Sequence, residues 1–99
     1  MTVYAIVQVE IFDREAYDRY SAKFWNVFKQ FNGSMLVNDE SPKVLEGDWS
    51  HNKVVLFSFP DEAAFHAWAD SPQYNEIVVD RRAGANVTIL LSEQFSLHS

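Results

Sequence analysis

Residues 53–68 read KVVLFSFPDEAAFHAW. Val55, Phe57 and Phe59 alternate with Val54, Leu56 and Ser58, the two-residue period of a strand, and both sides are apolar enough to need covering. Pro60 cannot continue a ladder, and Asp61 after it suits the cap of a helix. Ala64, Phe65, Ala67 and Trp68 then supply that helix with a buried stripe. A strand, a breaker, a cap and a helix thus follow one another without a linker.

The same order stands upstream. In residues 3–11, Val3, Ala5, Val7, Val9 and Ile11 alternate with Tyr4, Ile6, Gln8 and Glu10, which predicts a first strand. Asp13 caps a first helix, Glu15 suits its positive end, and Phe12 is placed to staple onto Tyr17. Tyr17, Tyr20, Phe24, Val27, Phe28 and Phe31 recur at helical steps opposite Asp18, Arg19, Lys23, Asn26, Lys29 and Gln30. Asn32-Gly33 stops this helix, with Gly33 in the left-handed conformation. A second strand is expected at 34–37, interrupted by polar residues 38–42 and resuming at 43–46; Gly47-Asp48 then begins a turn-rich stretch.

Downstream, Ser71-Pro72 breaks the second helix and starts a further short one over residues 73–82, because proline is tolerated in a first turn. Gly84 closes it, and residues 86–93 make the last strand, with Val87, Ile89 and Leu91 opposing Thr88, Leu90 and Ser92. The order β-α-β, β-α-β is a two-fold structural repeat. It predicts an α+β, ferredoxin-like sandwich: one antiparallel sheet with its helices on one face.

Such a sheet leaves Tyr4, Ile6, Leu90 and one side of the third strand uncovered. Four strands about 4.8 Å apart and about 20 Å long present roughly 400 Å². That is near the limit that soluble monomers expose, so a two-fold homodimer packed sheet to sheet is expected.

The 99 residues suffice for one core, so a single domain over residues 1–99 is expected. With 47% hydrophobic and 15% aromatic residues the chain has enough apolar matter to fold. The absence of cysteine excludes disulfides, thiolate nucleophiles and thiolate metal sites. Eight basic residues against fourteen acidic ones, net −6, oppose nucleic-acid binding, and Arg81-Arg82 alone makes no basic patch. The asparagines of two Asn-x-Ser/Thr matches, Asn32 and Asn86, carry no meaning without a secretory signal. The opening residues read as neither signal peptide nor membrane span, so the expected compartment is the cytoplasm. There is no phosphate loop, nucleophile elbow or His-Glu-x-x-His motif, and no cofactor is expected.

Several segments carry a resemblance that spans nearly the whole chain. They are the extended opening strand, the helix entry from Asp13 to Tyr20, Glu46-Gly47-Asp48-Trp49, Phe59-Pro60-Asp61-Glu62-Ala63-Ala64, Trp68 and Ser71-Pro72-Gln73-Tyr74. Together they resemble the DUF1330 family, small bacterial proteins of undefined function. That family is similar to the dimeric α/β-barrel superfamily, which includes cofactor-free monooxygenases, heme-processing enzymes and stress-response proteins. The resemblance implies a sheet-on-sheet dimer and no single reaction. It departs at Asn32-Gly33, where relatives carry Gly-Gly, and its basic residue after Ser-Pro-x-Tyr falls on Arg81 or Arg82.

Candidate chemistry is scattered. Glu46, Asp48, Trp49 and His51 cluster at a strand end and offer acceptors, an aromatic wall and a group titrating near neutrality. Glu46 and His51 are the candidate catalytic residues; the alternative is a turn with Trp49 plugging a dimer edge. Tyr17, Tyr20 and Tyr74 either place hydroxyls in a cavity under the first helix or pack the core. Trp25 sits at the edge of the first helix's buried stripe, at a pocket mouth or the partner chain. Arg81 or Arg82 is suited to hold a carboxylate, or to make a surface ion pair. Glu62, His66 and Asp70 form a row that reads as a solvated helix face, and His98 lies in a frayed tail, so no metal site is expected.

The candidate ligand-binding residues are Tyr17, Trp49, Tyr74 and Arg81. Two functions are expected of them. One is a non-catalytic dimer binding a small, mostly apolar molecule between sheet and helices. The other is a cofactor-independent enzyme, monooxygenase- or isomerase-like, in which Glu46 or His51 moves a proton and an arginine steadies an anion.

Overall fold

The computed structural model describes residues 1–97. Its elements are β1 (Val3–Ile11), α1 (Arg14–Phe28), β2 (Ser34–Asp39), β3 (Lys53–Phe59), α2 (Glu62–Ala69), α3 (Pro72–Gly84) and β4 (Ala85–Glu93). The sheet order is β2-β3-β1-β4 and every pairing is antiparallel, as a ferredoxin-like sandwich requires. No helix among the described residues is long and apolar enough to cross a membrane.

Alternation assigns the two faces. Val3, Ala5, Val7 and Val9 of β1 and Val55, Phe57 and Phe59 of β3 are buried toward the helices. Across them lie Phe24 and Phe28 of α1, Trp68 of α2, and Tyr74, Ile77 and Val78 of α3. Phe24 stacks on Phe57 at 5.8 Å and Trp68 on Phe59 at 5.8 Å between ring centroids, so aromatic rings form the layer between helix and sheet.

Each helix begins on a side-chain cap, two of them the aspartates expected from the sequence and the third Ser71. Asp13 accepts from the Ala16 N–H at 3.3 Å and Asp61 from the Ala64 N–H at 2.7 Å. Ser71 does more: its Oγ accepts from the Tyr74 N–H at 3.1 Å and donates to the Trp68 carbonyl at 2.8 Å, joining the end of α2 to the start of α3. Pro72 follows in the first turn, where a missing N–H costs nothing.

Four local expectations need correction. Phe12 is 60% exposed, and the entry to α1 is held instead by the Phe12 and Asp13 N–H groups, which donate to the Gly84 carbonyl at 2.9 and 3.1 Å. Helix α1 ends at Phe28, before Gly33, in turns where Gln30 and Phe31 donate to Val27 and Phe28. Gly33 is not left-handed; among the described residues Gly47 alone has positive φ, at 85°. Gly33 is required for space, since a Cβ there would lie 2.6 Å from the rings of both Phe28 and Phe59. Residues 43–46 form no strand, because β2 already pairs with β3 out to Asp39 opposite Val54, through an irregularity between Met35 and Val37, and β3 begins one residue earlier.

The helix-free face carries Tyr4, Ile6 and Gln8 of β1, Val54, Leu56 and Ser58 of β3, Leu90 and Thr88 of β4, and Val37 of β2, as the register dictates. Its centre is apolar and its flanks are polar. Leu90 is 57% exposed and Val37 38%.

Candidate functional site

A cavity of about 90 Å³ lies between the sheet and the helices. Its floor is Ala5, Val7 and Val9 of β1, Val55 and Phe57 of β3, and Val87 and Ile89 of β4; Tyr17, Tyr20 and Phe24 of α1, Trp68 of α2, and Tyr74 and Arg81 of α3 close over it. Ser21, Asn38 and Ile89 are its exposed lining residues, so it communicates with solvent.

The polar groups in it are linked. Arg81 Nη1 donates to Tyr74 Oη at 2.9 Å, and Tyr74 Oη lies 2.9 Å from Tyr20 Oη. Two phenols that share one hydrogen bond use one of their two hydroxyl hydrogens, and the other has no acceptor among the described residues. Arg81 Nε and Trp68 Nε1 are likewise buried without an acceptor there. An unmade buried hydrogen bond is costly, so a surplus of donors marks where an acceptor belongs.

Lys53 adds a charge. It is 6% exposed, makes no ion pair or hydrogen bond among the described residues, and places Nζ 5.0 Å from the centre of the Tyr17 ring. Burial holds its pKa below the usual lysine value, opposed by the field of Glu40. Glu40 does not neutralise it directly, being engaged by Arg14 at 2.7 Å. Burial pushes the Tyr17 phenol up to about 12, and lifts Tyr20 well above its ordinary value, so both hydroxyls stay protonated at neutral pH.

Of the candidates read from the sequence, Tyr17, Tyr74 and Arg81 meet in this cavity together with Tyr20. Arg82 is exposed; Arg81 faces inward because it lies seven residues, two turns, beyond Tyr74 on the stripe that also carries Ile77 and Val78. Glu46, Trp49 and His51 lie elsewhere. Glu46, Asp48 and Trp49 border an open depression with Val54, on the helix-free side of the sheet. Trp49 and His51 pack ring against ring at 5.0 Å, with Trp49 Nε1 and His51 Nδ1 buried and unpartnered among the described residues. Glu62, His66 and Asp70 form an exposed row on α2, His66 lying 3.8 Å from Glu62 and 3.5 Å from Asp70. Trp25 is 56% exposed, and His98 lies outside the described residues.

Lys53 and Asn38 were missed as cavity residues, although one signal was available for the lysine. The alternation that turns Val55, Phe57 and Phe59 inward turns Lys53 inward too.

Solved structures with the same fold exist. A protein of unknown function from Rhodopseudomonas palustris matches 96% of this chain and 83% of its own at 21% identity and a TM-score of 0.80. A dimeric ferredoxin-like protein of unknown function from Jannaschia sp. CCS1 matches 95% of this chain and 100% of its own at 15% identity and a TM-score of 0.75. SnoaB, a cofactor-independent oxygenase from Streptomyces nogalater, matches 99% of this chain and 98% of its own at 15% identity and a TM-score of 0.68. At such identities the likeness is one of fold. Among curated proteins none matches this chain. Residues 2–95 match the model of the family described as a domain of unknown function, DUF1330, and the chain belongs to that family.

Proposed function

We propose that the protein binds a small, mostly apolar molecule in the cavity between sheet and helices, and does so as a homodimer. The observation that carries the binding reading is the cavity itself: apolar walls meeting a linked set of polar groups, Arg81, Tyr74 and Tyr20, with donors to spare. A core shaped for packing alone closes such a space and leaves no donor unpaired. Melting curves against a panel of small apolar compounds test it. A binder raises the melting temperature of the wild-type protein but not that of Val87→Phe, whose ring fills part of the cavity. A panel without a single shift sinks the reading.

The dimer reading rests on the helix-free face, where Ile6, Val54, Leu56, Leu90 and Val37 gather with only polar residues beside them. Val44 and Leu45, 50% and 87% exposed, border the depression that Val54 shares and widen the apolar surface. Burial of five such side chains, each worth about 1.5–3 kcal/mol when fully covered, offsets the cost of association. The Jannaschia and other ferredoxin-like structures that resemble this chain are described as dimeric. Light scattering gives the dimer mass for the wild type and the monomer mass for Leu90→Lys; a wild-type monomer at micromolar concentration overturns the pairing.

A second reading, a cofactor-independent enzyme acting on a small organic substrate, is supported by Lys53. A lysine whose pKa burial lowers holds more of its free-amine form than an exposed one, and that fraction can take a proton from the bound molecule. It predicts that the protein catalyses exchange of an acidic C–H of its ligand with deuterium from solvent, and that Lys53→Met does not.

A further inference from the structure

We infer that the molecule taken by this cavity is a carboxylate: a short apolar acid whose head sits among Lys53, Arg81 and the Tyr20–Tyr74 pair. The inference rests on the binding reading above and names the class of ligand within it.

Charge balance is the first argument. The chain carries fourteen Asp and Glu against eight Lys and Arg, yet no carboxylate lines the cavity, while one lysine and one arginine do. The nearest compensating acid, Glu40, is bonded to Arg14, and Asp80 of α3 is bound by Arg19 and Lys23 on the outer surface. Two cations are therefore brought to one apolar space in a protein with acid to spare, and the acid is placed elsewhere. Partly buried charge without an ion pair is costly, so an anion from outside completes the site.

Donor count is the second argument. The Lys53 ammonium, which keeps some contact with solvent, has no hydrogen-bond partner among the described residues, Arg81 Nε is buried without one, and the hydroxyl pair retains one free hydrogen. The two cations are donors only, and the phenols have a hydrogen to give. A carboxylate accepts through two oxygens and about four lone pairs, and offers nothing that would need an acceptor in return. A neutral amide can give its N–H groups to the phenol oxygens, Ser21 or Asn38, but leaves the ammonium and the guanidinium without a counter-charge. Inorganic phosphate or sulfate would leave Val7, Val55 and Phe57 facing nothing apolar.

Size is the third. An apolar cavity of about 150 Å³ takes benzene. At about 90 Å³ this one takes a shorter body, of the order of a four-carbon acid.

The test compares butyrate with butyramide, equal in shape and different in charge, on the purified full chain by saturation-transfer NMR and titration calorimetry. Butyrate is expected to bind at least tenfold more tightly. Lys53→Met and Arg81→Met, each verified as folded by circular dichroism, lose that preference while still binding butyramide weakly, and Lys53→Arg, which keeps the charge, retains it. Equal binding of the two probes to the wild type overturns the carboxylate assignment and leaves the cavity reading standing. Butyrate preference that survives both methionine variants also overturns it, since the anion then sits elsewhere. If neither probe binds and no neutral apolar compound does, both readings fail together.

Discussion

Gly84→Ala tests how closely the two long helices must approach for the cavity to exist. A Cβ on Gly84 would stand 2.5 Å from the Tyr17 backbone nitrogen, 2.8 Å from the Asp13 carbonyl oxygen and 3.1 Å from Ala16 Cβ. Two of these neighbours are backbone and cannot rotate away. Restoring an ordinary contact of at least 3.4 Å moves the start of α1 from α3 by about 1 Å. That shift breaks the bonds from the Phe12 and Asp13 N–H groups to the Gly84 carbonyl, now 2.9 and 3.1 Å. Overpacking costs about 1–3 kcal/mol and each lost bond about 1 kcal/mol, against about 1 kcal/mol regained from the better helix propensity of alanine. The net loss is roughly 2–4 kcal/mol, a fall in melting temperature of roughly 10–30 °C for a domain of this size. Thermal and urea denaturation followed by circular dichroism measure it. The same opening separates Tyr17 and Tyr20 on α1 from Tyr74 and Arg81 on α3, so ligand affinity falls with stability. Gly47→Ala is the control: φ is +85° but nothing lies within 4 Å, so only the left-handed strain of about 1–2 kcal/mol applies. A Gly84→Ala protein melting within about 2 °C of the wild type, or above Gly47→Ala, refutes the close-approach argument.

Three further outcomes follow from the same geometry. Lys53→Met is expected to raise the stability of the protein at neutral pH while abolishing anion binding, because it removes a partly desolvated charge. Since burial lowers the folded-state pKa of Lys53, the wild type carries this penalty below that pKa and recovers as pH rises toward the unfolded value of 10.5; urea midpoints of the two proteins should therefore converge in alkali, and a less stable variant at pH 7 contradicts the reasoning. Tyr17 acts with the opposite sign: its stabilising contribution is whole below pH 10 and is lost as pH rises through about 12, worth about 3 kcal/mol in all, so Tyr17→Phe should flatten alkaline unfolding measured from pH 8 upward. Ser71→Ala leaves the Tyr74 N–H without its buried acceptor and takes from the Trp68 carbonyl one of its two donors, the Ser71 N–H at 3.1 Å remaining, and should cost about 1 kcal/mol in chemical denaturation, whereas a loss below about 0.5 kcal/mol would mean that the α2–α3 junction is held by packing instead.

The layers of this fold were legible because alternation in β1 and β3 and the stripe of α1 are local patterns, each complete within about fifteen residues of chain. The errors sit where a distant partner overrides a local signal. Gly33 reads as a helix stop, yet the rings of Phe28 and Phe59 are what exclude a side chain there. Residues 43–46 look like a strand and lack a neighbour to pair with, since β3 is already bonded to β2 on one edge and β1 on the other. Glu46 and His51 attract notice because they are close in sequence, which says nothing about the face of the sheet they reach.

The cavity inverts that lesson. Tyr20 and Tyr74 are 54 positions apart and their hydroxyls are 2.9 Å apart, so proximity came from topology. Yet the inward direction of each polar group was written locally: Arg81 by its two-turn offset from Tyr74, Lys53 by its parity with Val55. What no local pattern reveals is that Glu40, thirteen positions before Lys53, is claimed by Arg14 on another element. A lysine whose obvious acid is taken is a different chemical object from a lysine in an ion pair. The surplus of positive charge that points to an anionic ligand is therefore a property of the folded network as a whole, and it disappears if Arg14 is removed: Arg14→Ala frees Glu40 to turn toward Lys53, and should weaken butyrate binding without touching one cavity-lining residue.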